Sequence, residues 1–357
     1  MMRWRLDRIL SQKKKSWGMK VLLFPLYLLS IPYGWAVRLR IALYASALLK
    51  SKQVPCPVIS VGNITAGGTG KTPLVMALAT NLRDRGISVA ILSRGYRGES
   101  PPETVVSDGK TVYLSPEEAG DEPHLMAKRL RDVPVLIGKN RFLTGRIALQ
   151  RFGVHGLILD DGFQHLQLRR DLDIVLIDST VDFGDGHLLP RGILREPVTY
   201  LRRANLLMLT KVDDPETCKP LERLVQRVHP SVPMFHSSYE PSGLIGPGEE
   251  REEVESFKGR RVVALSGIAN PLSFSSLLKK CGMKVIKELI FPDHHRYTQE
   301  DLDSLEETRK EADWIITTEK DLVRLTSFEI GHLPIRALRI EMKIGEEAFF
   351  QEVAKLF

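Results

Sequence analysis

VISVGNITAGGTGKT, residues 58 to 72, decides the fold. Val58 to Asn63 is a β-branched and aliphatic run of the kind that fills a buried strand, and residues 72–85 have the apolar period of a helix. Joining them, TAGGTGKT (65–72) reads as a phosphate-binding loop in its usual strand-to-helix setting. Gly67, Gly68 and Gly70 let consecutive backbone N–H groups turn inward around phosphate oxygens, with Thr65, Ala66 and Thr69 completing the cradle for ATP. Lys71 supplies a charge for the β- and γ-phosphates, and Thr72 offers a hydroxyl to Mg²⁺. Thr65 stands where the general motif has glycine, a departure that leaves the GKT end intact.

Outward from this loop, short aliphatic runs alternate with amphipathic stretches, the pattern of an α/β fold: a P-loop NTPase-type parallel sheet flanked by helices. Strands are expected at 58–63, 88–93, 133–137, 156–160, 173–178, 206–210 and 233–236, with helices at 72–85, 122–130, 141–152 and 216–228. Residues 240–261, rich in Gly and Pro and carrying EEREEVE, break the rhythm and read as a linker. A smaller α/β unit follows, with strands at 262–266, near 285–291 and at 314–317, and helices at 271–280, 299–312 and 346–357. Three parts result: a membrane-associated arm (1–52), a P-loop core (53–240) and a second domain (241–357).

A P-loop enzyme needs an acid at the end of a neighbouring strand to hold Mg²⁺. GLILDDGFQH delivers Asp160 and Asp161 to the carboxyl end of a strand, where open α/β sheets gather their ligands. Thr210-Lys211-Val212-Asp213 imitates the guanine-binding element of GTPases, but neither Asp160 nor Asp161 has a glycine at the DxxG position, so a strand-end turn is the better reading. Five polar islands sit mostly after strands: SRGYRG (93–98), AGDEP (119–123), GKNR (138–141), PRGILREP (190–197) and FPDHHRY (291–297). Arg94, Arg97, Arg141, Arg191 and Arg195 in them suit an anionic substrate, and the acids Asp121, Glu122 and Glu196 suit helix N-termini.

Charge separates the arm from the body. Residues 1–52 hold eleven of the 51 Lys and Arg and only one of the 44 acids, Asp7, leaving 40 cations against 43 acids elsewhere. A slightly acidic body excludes a general nucleic-acid-binding surface. Within the arm, residues 21–37 are uncharged, interrupted by Pro25 and Pro32, and flanked on both sides by cations, so the segment is expected to lie on an anionic lipid surface, with a membrane span and a helical hairpin buried on the body as the competing readings. Arg38 and Arg40 fall between this run and Ala45-Ser46-Ala47, which argues against a cleaved export signal. Cys56, Cys218 and Cys281 have no metal or disulfide spacing, which fits a reducing cytosol and no structural metal.

The ordered set VGNITAGGTGKTP, LSRGYRG, GDEP, GKNR, DDGFQH, PRGILREP, TK.D and FPDHHRY, from about residue 55 to 321, resembles the tetraacyldisaccharide 4′-kinases, the lipid A 4′-kinases of Gram-negative bacteria. Thr65 fits that family too. The resemblance implies ATP- and Mg²⁺-dependent phosphorylation of the 4′-hydroxyl of a tetraacylated glucosamine disaccharide 1-phosphate, at the cytoplasmic face of the inner membrane. It aligns Asp160 with a metal-site acid and leaves direct ligation open among Asp160, Asp161 and Glu196. It aligns Asp121 and His294 with a proton-accepting pair, and Arg141, Asp161, Gln164, Arg195 and Glu196 with the phosphate and disaccharide site. A membrane-associated GTPase-type switch protein, suggested by TKVD, and a non-catalytic nucleotide-binding adaptor are the competing readings.

Overall fold

A computed structural model describes residues 10, 15–95, 98, 101, 103–268, 270–309 and 311–357. It divides into two compact units, a larger one reaching Ser238 and regaining Met342–Phe357, and a smaller one, Tyr239–Glu341.

The larger unit begins with α1 (Trp17–Leu22) and α2 (Phe24–Ala45), followed by β1 (Val58–Asn63) and α3 (Lys71–Asp84). Next come β2 (Val89–Ser93), β3 (Thr104–Ser107), α4 (Pro116–Ala119), α5 (Asp121–Arg129), β4 (Val135–Ile137), α6 (Arg141–Phe152) and β5 (Gly156–Asp160). β6 (Leu172–Asp178), β7 (Leu206–Thr210), α7 (Lys219–Val228) and the start of β8 (Met234–Ile245) complete the series. The strand order is β7-β6-β1-β5-β2-β4-β3, parallel except for β3, which runs antiparallel to β4. Every residue of β1, β5, β6 and β7 is buried, as unbroken aliphatic runs with helices on both faces require. The expected parallel sheet is present, and β1 lies between β5 and β6, which brings the P-loop beside Asp160.

Two expectations changed. Pro32 does not interrupt the arm helix: α2 runs on through it, with Pro32 on its exposed side. Ser30, Gly34 and Ile41 form the buried stripe of α2, and a Cβ on Gly34 would stand 2.8 Å from both Leu188 Cδ1 and Arg38 Nη1, so a larger residue there would push those side-chain ends aside. The opposite side exposes Leu28, Leu29, Trp35 and Leu39. No helix among the described residues is long and apolar enough to cross a membrane.

The second change is at 240–261, where no open linker exists: β8 continues through Pro241 and Gly243 to Ile245, which pairs antiparallel with β9 (Arg251–Glu252). Buried Leu244, Ile245 and Phe257 anchor a segment whose Gly, Pro and Glu content hid it.

The smaller unit contains β10 (Arg261–Ser266), α8 (Pro271–Lys280), β11 (Lys284–Ile290), α9 (Gln299–Arg309), β12 (Trp314–Thr318), α10 (Glu319–Leu325) and β13 (Ile335–Ile344). Its sheet is parallel, in the order β11-β10-β12-β13. α11 (Glu347–Ala354) closes the chain on the larger unit: Phe349 packs edge-on to Phe235 at 5.3 Å and Glu347 pairs with Arg85 at 2.5 Å.

Candidate active site

β1 carries Asn63 to the carboxyl edge of the sheet, and the phosphate-binding loop is held there from several directions. Asn63 Nδ2 donates to Thr69 Oγ1 at 3.0 Å, and Asn63 Oδ1 accepts from Lys71 Nζ at 3.4 Å. The N–H of Ala66 donates to the Ile193 carbonyl and that of Arg195 to the Ile64 carbonyl, both at 2.7 Å, so PRGILREP is stitched along the first half of the loop. Thr210 Oγ1 donates to the Thr69 carbonyl at 3.0 Å, and Lys211 Nζ to the Gly68 carbonyl at 3.2 Å while pairing with Asp178. TKVD is thus a strand-end turn that fastens the loop. Gly67 and Gly70 have φ of 113° and 90°, and no neighbour lies within 4 Å of where a Gly67 Cβ would stand, so backbone angle rather than crowding selects glycine there. α3 begins at Lys71 without a side-chain cap, and its first N–H groups and dipole favour an anion.

The charges around this helix end are paired unequally. Asp160, only 6% exposed at the end of β5, accepts from Ser93 Oγ at 3.1 Å. Burial, then the neighbouring Asp161 carboxylate, push its carboxyl up to about 6. Burial pushes Asp161 the same way, yet Lys71 at 3.5 Å and Arg195, whose Nη1 lies 3.0 and 2.9 Å from its two oxygens, hold it below the usual carboxylate range. Burial lowers Lys71 against the pull of Asp161. Arg141, the first residue of α6 and 3% exposed, donates from Nη1 to the Gly138 carbonyl at 3.0 Å and from Nη2 to the Asp160 carbonyl at 3.5 Å. Burial lowers it to about 10, and its Nε has no hydrogen-bond partner among the described residues.

Gln164 donates from Nε2 to the Asn63 carbonyl at 2.9 Å. Glu196 is buried and paired with Arg203, whose guanidinium lies 4.2 Å from the Phe163 ring centre; burial raises the Glu196 carboxyl. Asp121 opens α5 behind Gly120 (φ 89°), and the next residue, Glu122, is among the charges raising Asp160. Thus Lys71, Asp160, Asp161, Arg141, Gln164 and Arg195 share one sheet edge. Arg191 is a fastener instead: it pairs at 2.7 Å with Asp185, which Lys15 also meets at 2.6 Å. Arg94 is exposed, and Arg97 lies outside the described residues. His294 belongs to the smaller unit, on the loop between β11 and α9.

Residues the sequence reading passed over also serve the site. Asn63 and Ser93 end their strands beside it, a placement visible in sequence as a polar residue closing an apolar run. Tyr33 and Arg40 of α2 gave no signal. Tyr33 Oη donates to the Arg195 carbonyl at 2.9 Å and Arg40 Nη2 to the Gln164 carbonyl at 3.0 Å, so the arm braces two site segments. Burial raises the Tyr33 phenol, which keeps it a donor. Tyr33→Phe is expected to lower kcat roughly 3- to 10-fold, the worth of one hydrogen bond, on a short-chain soluble acceptor as well as on a lipid one. Steady-state rates on both acceptors check this: a loss confined to the lipid would mean that α2 contributes only membrane contact.

A loop cradle at a helix N-terminus, a half-buried lysine and a strand-end acid beside it define a P-loop phosphotransferase. The family model for tetraacyldisaccharide-1-P 4′-kinase matches residues 20–357. The chain belongs to this family. The tetraacyldisaccharide 4′-kinase of Desulfatibacillum aliphaticivorans is 41% identical over 342 residues, covering 92% of this chain and 91% of that one. The kinase of the same name from Syntrophus aciditrophicus is 43% identical, covering 91% and 90%. A crystal structure of LpxK from Aquifex aeolicus in complex with ATP superposes with a TM-score of 0.76 at 36% identity, covering 95% of this chain and 99% of that one.

Proposed function

We propose that this chain transfers the γ-phosphoryl group of ATP to the 4′-hydroxyl of a tetraacylated glucosamine disaccharide 1-phosphate, a lipid A precursor. The observation that carries the reading is the meeting of the uncapped α3 N-terminus and Lys71 with Asp160, Asp161, Arg141 and Arg195, in a chain of the 4′-kinase family. Phosphoryl transfer asks little covalent chemistry of a protein; position and charge do most of the catalysis. Lys71 and the loop N–H groups offset charge on the β- and γ-oxygens, and Arg195 and Arg141 offer N–H groups to substrate oxygens. Asp121 accepts the proton of the attacking hydroxyl, and His294 acts with it as one unit.

Asp160 suits Mg²⁺: a buried carboxyl raised to about 6 gains from a nearby cation, and Thr72 adds a hydroxyl from the first turn of α3. When bound, the ion spreads the negative charge developing between β- and γ-oxygens. Asp161 and Glu196, already matched to guanidinium partners, hold Arg195 and Arg203 in place in this reading. The exposed apolar side of α2, with the basic arm, supports a resting place on the cytoplasmic face of the inner membrane, where ATP and a lipid acceptor meet.

Transfer of label from [γ-³²P]ATP to a tetraacylated disaccharide acceptor tests the function. Acceptor-dependent label with ATP preferred over GTP is expected; acceptor-independent GTP hydrolysis would replace the kinase with a switch protein. Asp160 gives a second test. Its ionised form is disfavoured in the folded state, so above pH 6 its charge costs stability, and the cost fades as pH falls from about 6 to the ordinary 3.8. Asp160→Asn is therefore expected to abolish turnover yet stabilise the ligand-free protein by up to about 3 kcal/mol at pH 8, with the gain gone by about pH 4. Thermal unfolding without ligand across that range measures it, and an equal or lower Tm at pH 8 overturns the assignment of an unfavourable buried charge.

A further inference from the structure

The loop bearing His294 rests on a buried ion pair that the proposed function does not use. Asp321, fully buried in α10, accepts from the Gly267 N–H at 3.0 Å, Tyr297 Oη at 3.1 Å, Thr318 Oγ1 at 2.7 Å and Arg324 Nη1 at 2.9 Å. A carboxylate with this many donors and a guanidinium partner is fixed in place, and a Cβ on Gly267 would stand 2.9 Å from its Oδ1. Arg324, 8% exposed, turns a second bond from Nη1 to the Gly267 carbonyl at 3.1 Å and directs Nη2 to His294 Nδ1 at 3.4 Å. The backbone N–H of His294 donates to the same Gly267 carbonyl at 3.2 Å, and His294 holds φ 57°, a left-handed angle uncommon outside glycine. Gly267, Asp321, Arg324 and His294 therefore form one cluster at the carboxyl ends of β10 and β12.

A guanidinium has five donors and no acceptor, so Nδ1 of His294 must accept the Arg324 bond. The ring hydrogen is then on Nε2, the nitrogen 3.9 Å from Asp293 Oδ2. We infer that Asp321 and Arg324 are positioning residues for the kinase reaction: the Asp321–Arg324 pair locks the His294 loop and fixes the Nε2–H tautomer, so that this histidine meets its reaction partner as an N–H donor. The inference rests on the role given to His294 above, because a tautomer matters to turnover only if the ring takes part. Without Arg324, Nδ1 is free to carry the proton and the ring to turn.

The test separates the two claims. In the full-length protein labelled with [¹⁵N]histidine, His294 resonances are identified by their loss in His294→Ala, and their couplings report which nitrogen carries hydrogen. Wild type is expected to show the Nε2–H form, Arg324→Gln a mixture or the Nδ1–H form, and Arg324→Lys, which keeps a cationic donor, a partial return. Kcat should fall roughly 10- to 100-fold in Arg324→Gln at unchanged KM for ATP, with partial rescue in Arg324→Lys. Where Arg324→Gln fails to fold because Asp321 is left uncompensated, the Asp321→Asn/Arg324→Gln double variant removes both charges and takes its place. An Nδ1–H tautomer in wild type, or an Nε2–H tautomer unchanged in the folded variants, overturns the positioning claim. If the tautomer follows Arg324 as expected but His294→Ala retains full kcat, it is the catalytic reading of His294 that fails.

Discussion

Lys71→Ala is expected to lower kcat on the order of 10³-fold while leaving the protein folded. The amine lies 3.5 Å from Asp161 Oδ1 and 3.4 Å from Asn63 Oδ1, at the first residue of a helix with no side-chain cap. Its charge therefore stands at the helix end that favours an anion. Stability should change little, for two reasons. Burial already disfavours the charged amine, and Asp161 keeps both contacts with Arg195 when Lys71 is gone. Circular dichroism and single-turnover transfer on the same preparation separate the effects. Near-normal turnover in a folded Lys71→Ala protein would remove the loop from the mechanism.

The second large effect concerns the proton. A sugar hydroxyl is too weak an acid to ionise at neutral pH, so attack on phosphorus gains from a positioned acceptor. Asp121→Asn and His294→Ala are each expected to cut kcat roughly 100- to 10,000-fold with little change in ATP affinity. Combining them should add far less than the product of the two losses, as expected for groups acting as a unit. The double-mutant cycle on kcat is decisive: fully multiplicative losses would sink the pair, and an unchanged kcat in Asp121→Asn would remove Asp121 as the base.

The phosphate loop was legible in sequence because its chemistry is local: glycines at set spacing, a lysine and a hydroxyl between a strand and a helix. The parallel core was legible for a similar reason, since strands buried on both faces read as uninterrupted aliphatic runs. What sequence did not reveal is pairing across distance. Nothing in DDGFQH says that Asp161 meets Arg195, or in PRGILREP that Glu196 meets Arg203 and not its neighbours. Lys211 resembled part of a guanine-binding element because the four residues of TKVD fit two uses; only its bond to the Gly68 carbonyl reveals which one this fold makes. TTEKDLVR gave no sign of a site, since the three-residue spacing of Asp321 and Arg324 says nothing of their burial. Segment 240–261 misled in the opposite direction, its Gly and Pro content masking the strand that Leu244 and Ile245 anchor.

The two sides of α2 also set how a detergent-free form of the protein is to be made. Truncation removes Tyr33 and Arg40 together with the greasy surface, and so strips the support from Arg195 and Gln164. Repainting separates the two: polar residues in place of Leu28, Leu29, Trp35 and Leu39, all outward-facing, leave Ser30, Tyr33, Gly34 and Ile41 to dock as before. A chain altered in this way should stay in solution and keep its turnover on a short-chain acceptor, a division of labour within one helix that cutting the arm off cannot reproduce.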